Sequence, residues 1–206
     1  MSNTRFYHRL RRVIVGVLLP MTLLSACQVL PEREPVDLYQ LPPASISAAS
    51  GTAIDGGLRL MTPESSDALN GARLLILNNN NGFQAWAGTR WTAPIPALWR
   101  DWLLDAFWRD GRFRALSTDS TVLQSQRSLG GMLRAFHIEH DGRQQVAVIR
   151  FDAQLIDSAS REIIASQRFE ASEPVSGNNA SAAVAAMGMA ADRLALALID
   201  WAADES

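Results

Sequence analysis

Between Ile95 and Asp110 the apolar residues Ile95, Leu98, Trp99, Trp102, Leu103, Ala106 and Phe107 recur at i, i+3, i+4, i+7, i+8, i+11 and i+12. That spacing predicts an amphipathic helix with one buried stripe. Pro94 and Pro96 stand at its start, where a missing N–H costs nothing, and Gly111 follows as a stop. The other side carries Arg100, Asp101, Asp105 and Arg109, read as solvated charge, with Leu104 and Trp108 as apolar exceptions. A second helix is predicted from about Ser181 to Trp201, its stripe being Val184, Met187, Ala191, Leu194, Leu198 and Trp201. Its first half, Ala180–Ala191, is nearly all Ala, Gly and Met. Side chains that small admit a close neighbour, either within the domain or from another chain.

Between the two helices the period changes to two. Leu129–His140 is a strand ending at the hairpin pair Asp141-Gly142. Gln145–Ile156 is the next, with Ala147, Ile149, Phe151, Ala153 and Leu155 facing one way and Arg150, Asp152 and Gln154 the other. After a turn at Asp157–Ser160 comes Arg161–Ala171, with Ile163, Ala165 and Phe169 on one face. Three strands joined in series by turns make an antiparallel meander. Shorter strands are predicted at Asp37–Leu41, Leu58–Met61, Ala72–Leu77 and Phe83–Trp86, with turn chemistry at Asn78–Gly82 and a long loop at Pro42–Gly57. The expected fold is α+β: an antiparallel sheet with a C-terminal three-strand meander and two main helices on one face.

The first 26 residues follow different rules. Arg5, Arg9, Arg11 and Arg12 precede an apolar run from Val13 to Leu24, with no acid before Cys27. Twelve residues are too few to span a hydrocarbon core of roughly 30 Å as a helix, so the segment reads as an export signal. Leu24-Ser25-Ala26-Cys27 has the form of a bacterial lipobox, in which the cysteine sulfur is acylated and becomes the new N-terminus. Cys27 is the only cysteine, so an internal disulfide is impossible and lipidation accounts for it. Residues 27–36, with Pro31 and Pro35, form a lipidated tether reaching at most about 30 Å at ~3.3 Å per residue. Residues 37–206 form the periplasmic domain. Gln28, rather than Asp, follows the cysteine, which in the enteric sorting pattern directs a lipoprotein to the outer membrane.

Removal of the signal takes the formal charge from −2 to −6. A mildly acidic domain lacks the electrostatic footprint of a nucleic-acid binder. All nineteen basic residues are arginine, a bias that reflects genome composition rather than function. Little in the chain suggests catalysis. The sequence has no Gly-x-Ser-x-Gly elbow, no Ser-x-x-Lys and no phosphate loop. His137, Glu139 and His140 are spaced so that His137 and Glu139 share one strand face and His140 points to the other. With the one cysteine assigned to lipidation and no second histidine cluster, no metal site and no cofactor are expected. Of the six tryptophans, Trp99 and Trp102 belong to the helical stripe. Trp86, Trp91, Trp108 and Trp201 are expected half-buried, one or two of them lining a partner surface.

In order along the chain come Leu38-Tyr39-Gln40-Leu41, a Tyr-x-Leu strand; Arg90-Trp91-Thr92-Ala93-Pro94, leading into a helix; Gly111-Arg112-Phe113 after it; Leu133-Arg134-Ala135-Phe136 in the first meander strand; and Ile164–Phe169, bearing Arg168, in the third. With the lipobox and the Ala-rich last helix, this series resembles the ABC-type transport auxiliary lipoproteins, which include the paraquat-inducible protein C group. The resemblance covers about residues 37–202, and the chain departs from it at Asn78–Asn81 and in the long Pro42–Gly57 loop. It marks Tyr39, Leu41, Trp91, Pro94 and Phe136 as family positions, structural or docking, beside the lipidation site Cys27. It implies a non-catalytic outer-membrane lipoprotein facing the periplasm. The partners it implies are an inner-membrane ABC transporter and an MCE-domain protein in lipid transport, with self-association as a further possibility. Two other readings stay open: a structural envelope lipoprotein and a small-ligand-binding lipoprotein.

Overall fold

Leu133, Phe136 and Ile138 lie on one side of a fourteen-residue strand at the centre of the molecule, and nearly everything else is arranged around it. The computed structural model describes residues 35–121, 123–140 and 144–206. The export signal, Cys27, most of the tether and the Asp141-Gly142 turn lie outside the described residues. The strands are β1 (Asp37–Tyr39), β2 (Ile54–Leu60), β3 (Glu64–Ser65), β4 (Leu75–Leu77), β5 (Phe83–Ala85), β6 (Thr89–Trp91), β7 (Phe113–Thr118), β8 (Arg127–His140), β9 (Gln145–Asp157) and β10 (Ile163–Pro174). The helices are α1 (Ile95–Asp110) and α2 (Ala180–Asp204).

The fold is α+β, and the meander β8–β9–β10 is antiparallel throughout. The sheet as a whole is not: β2, β3 and β4 each pair with β8 in parallel, and β7 pairs in parallel with β2. Those strands are too short for their period to show direction. Their partners are also far away in sequence, so the expectation of an antiparallel sheet holds for the meander and for the β4–β5 pair but not for these strands. Strands β6, β7 and the two-residue β3 carry no alternation long enough to be read in advance.

Both helices pack on one face. The inward row of β9 (Ala147, Ile149, Phe151, Ala153, Leu155) is buried in one core with the stripes of α1 and α2, as the alternation implied. In α1 the whole predicted stripe is buried, joined by Pro96 and Asp110 at the helix ends. The helix stops at Gly111, whose φ of 79° is left-handed and whose N–H donates to the Phe107 carbonyl at 3.2 Å. In α2, Asn179 caps the N-terminus by accepting from the Ala182 N–H at 2.8 Å. This helix is long and apolar enough to cross a membrane by composition, but most of its surface is buried against the sheet. The small residues of its first half serve that packing: a Cβ on Gly188 would fall 2.8 Å from the Pro42 ring.

Two local readings change. The Pro42–Gly57 segment is not a free loop, since Ala44 and Ile46 are buried and Trp102 donates from Nε1 to the Pro42 carbonyl at 2.7 Å. Ile163 is exposed, because a register irregularity between Ile163 and Ala165 rotates it off the row that Phe169 occupies. The Asn78–Gly82 turn forms as expected: Asn78 Oδ1 accepts from the N–H groups of Asn80 and Gly82, and Asn81 takes a φ of 59°.

Candidate functional site

The family positions converge. Strand β1 pairs in parallel with β6, setting Tyr39 opposite Trp91. Trp91 meets Phe136 edge-on, with ring centroids 5.6 Å apart, and Phe136 meets Trp99 at 6.3 Å. Trp99 in turn stacks on Trp102 at 5.6 Å, the rings nearly parallel. Leu41 is buried in the same core, and the Pro94 carbonyl receives the Leu98 N–H at the start of α1. Residues spread over a hundred positions thus clamp the first strand to α1 and to β8. Leu41, Trp91 and Phe136 are too deeply buried to meet a partner. Tyr39 is half-buried, its hydroxyl 3.4 Å from Ser181 Oγ, and Pro94 is exposed. Trp91 is therefore core rather than half-buried. Trp86 and Trp201 are half-buried, and Trp108 is 54% exposed.

The sheet face away from the helices carries rows of paired charge. Asp152 lies between Arg134 (2.8 Å) and Arg168 (2.5 Å), and Arg150 binds Glu170 through two nitrogens at 2.7 and 2.6 Å. The Arg168 guanidinium, helped by Arg134, holds the Asp152 carboxyl far below the usual carboxylate range. Arg150 does the same, less strongly, for Glu170. The face therefore stays ionised at neutral pH. Near the β8–β9 hairpin it turns apolar: Ala135, Val146 and Val148 form a small second cluster. Next to them His137 is buried, with Phe83 edge-on at 5.2 Å and Glu139 Oε2 3.1 Å from Nε2. Burial lowers the His137 pKa below its ordinary 6.5, more than Glu139 raises it. Among the described residues no group of three or more His, Cys, Asp or Glu is placed to hold a metal.

Beyond this face, β10 forms an end of the sheet, with Ile163 and Ile164 exposed. Met189 and Leu196 are exposed on α2.

Two arginines are structural: Arg100, which periodicity assigned to the solvated side of α1, and Arg112, which follows the helix. Arg100 reaches from α1 to Thr62 Oγ1 (2.7 Å) and Asp119 (2.8 Å), as well as to Asp101. Arg112 grips Asp110, which is only 3% exposed, through two nitrogens and continues to Asp200 at 2.6 Å, tying the C-terminal ends of α1 and α2 together. Partners up to 88 residues away give no local signal. Asp105 and Arg109 do form the ordinary i,i+4 surface pair.

The family model described as the ABC-type transport auxiliary lipoprotein component matches residues 39–198. Among solved structures, a protein from Xanthomonas campestris superposes with a TM-score of 0.75 at 20% identity, over 82% of this chain and 96% of its own. A second crystal structure, of an uncharacterised protein, gives 0.64 at 15% identity over 82% and 99%. A hypothetical protein from Chlamydia trachomatis gives 0.51 at 10% identity over 72% and 96%. At these identities the likeness is one of fold. No curated protein matches the chain.

Proposed function

The chain belongs to the family of ABC-type transport auxiliary lipoproteins, and from that premise we propose a non-catalytic lipoprotein of the outer membrane. It is held there by acylated Cys27, faces the periplasm, and docks the periplasmic part of an inner-membrane ABC transporter that works with an MCE-domain protein in lipid transport. The observation that carries this reading is the family match across residues 39–198, nearly the whole periplasmic domain. The geometry is compatible with it. The aromatic series Trp91, Phe136, Trp99 and Trp102 belongs to the frame, while the charged sheet face, the β10 edge and the exposed Trp108 remain for a partner.

The test is affinity purification of the full-length protein from membranes of its own host, with bound proteins identified by mass spectrometry. An MCE-domain protein and its ABC transporter should copurify, and the Cys27→Ala variant should lose both outer-membrane fractionation and partner yield. Recovery of cell-wall or secretion components in their place would overturn the transport reading in favour of a structural role. Outer-membrane retention of Cys27→Ala would remove lipid anchoring.

A further inference from the structure

Five arginines are partly buried among the described residues: Arg59, Arg100, Arg112, Arg127 and Arg150. Arg100, Arg112 and Arg150 are paired with carboxylates, and Arg127 donates to the Ser206 carbonyl at 3.0 Å. The side chain of Arg59 has no hydrogen-bond or ion-pair partner among the described residues, and its Nε is buried. The hydroxyl of Ser125 is buried without a partner as well. An unmatched buried donor of this kind is costly. Both groups line the same cleft, of about 590 Å³, together with Gln124, Gln126, Arg127 and Ser158.

Topology builds the cleft. β7 and β8 both run parallel to β2, which lies between them, so the chain must return along β2 before β8 begins, with Ser125 and Gln126 on that return. The return passes tight over two glycines. Gly56 has a φ of 95°, and a Cβ there would fall 2.1 Å from Gln126 Oε1. The β9–β10 turn closes the other side, Ser158 donating from its N–H to the Gln126 carbonyl at 2.9 Å and sharing a hydroxyl contact of 3.1 Å with Ser128. Asp157 also lines the cleft, but its Oδ1 accepts from the N–H groups of Ala159 and Ser160 and from the Ser160 hydroxyl, and Arg127 lies opposite it in the ladder. Asp157 and Arg127 offset one another, and the charge of Arg59 is left over.

We propose that this cleft binds a phosphoryl anion, with Arg59 and Ser125 as its principal donors. A planar guanidinium beside a hydroxyl and side-chain amides suits the tetrahedral oxygens of a phosphate better than a flat carboxylate. The anion is either a free phosphate or the phosphate of a phospholipid headgroup. The adjoining groove on the same sheet face mixes Met61, Met132 and Ile156 with Glu64, Arg134 and Asp152, so a short tail would meet apolar and charged side chains there. This inference is independent of the docking reading, since its test involves no protein partner.

The experiment uses the full-length protein, exchanged into amphipol in phosphate-free buffer. It is titrated in a calorimeter with inorganic phosphate and, separately, with dihexanoyl phosphatidylglycerol. Saturable binding of at least one probe is expected. Arg59→Gln should weaken it about tenfold or more, the usual cost of losing a charge-assisted bond, while Arg73→Gln, an exposed arginine away from the cleft, should leave it unchanged. Equal binding of both probes identifies free phosphate as the ligand; binding of the lipid alone identifies the headgroup. Should Arg59→Gln fail to fold, Ser125→Ala takes its place with a smaller expected loss. Absence of saturable binding by the wild type up to about 10 mM, weaker than any useful site, overturns the proposal. So does an unchanged affinity in the cleft variants.

Discussion

Trp102 and Asp101 are neighbours in sequence with opposite duties. Trp102 is buried, stacks on Trp99 and donates to the Pro42 carbonyl, so it holds α1, the segment after β1 and the core together. Asp101 has a side chain 60% exposed and pairs only with Arg100, which keeps Asp119 and Thr62 without it. Trp102→Ala should therefore cost about 3–5 kcal/mol, the range for a large aromatic cut from a core. Asp101→Ala should stay within about 0.5 kcal/mol. Urea midpoints check this, and the reverse order would mean that the α1 stripe is assigned to the wrong side. The helical period alone separates these two residues. It could not reveal that Arg100, one position away, is largely buried in an ion-pair network, because Asp119 and Thr62 reach it only through the sheet.

At the scale of elements, α2 shows how composition and context divide the explanation. An interior glycine costs a helix about 1 kcal/mol relative to alanine. Gly188→Ala would on that ground stabilise the protein. The Pro42 ring forbids it: the added Cβ would lie 2.8 Å from Cγ and 2.9 Å from Cδ, and a proline ring cannot swing aside. Net destabilisation of about 1–3 kcal/mol is expected, as for other overpacked cores. A rise in the thermal midpoint of Gly188→Ala would show that Pro42 and α2 are not in contact. The small residues of Ala180–Ala191 pointed to close approach without saying by what. The neighbour proves to be the chain's own segment after β1.

For the whole molecule, stability should track pH in two steps. His137 is buried neutral with its pKa lowered, so an unfolded chain takes up a proton that the native one refuses. Its contribution is complete above the ordinary value of 6.5 and is lost as pH falls below it toward the depressed native value. The second step is acidic. Asp152 and Glu170 are held low by Arg168 and Arg150. Asp119 is held low by Thr62 and Arg100 against the opposing effect of burial. The stability these carboxylates supply is present above their ordinary values of 3.8 to 4.5 and disappears as pH falls further. Thermal midpoints should be level near neutrality, decline first below about pH 6.5 and again below about pH 4. His137→Gln should remove the first decline and keep the second. A variant that retains both would show that His137 does not titrate with unfolding.

What the sequence determined by itself was whatever depends on neighbours a few residues away. The stripe of α1, the alternation of β9 and the Asn78 turn are local patterns, written in periods of two or three to four and in turn chemistry. The α+β class followed from them. The tertiary structure alone decided the parallel pairing of β2, β3 and β4 with β8, because strand direction depends on where the chain returns and leaves no trace in two to seven residues. It also decided that Tyr39, Trp91 and Phe136 meet, and that Arg112 finds Asp200. Only the return that lays Gln126 over Gly56 and Ser125 over Gly57 sets Ser125 beside Arg59, so the cleft exists at the level of topology and at no level below it.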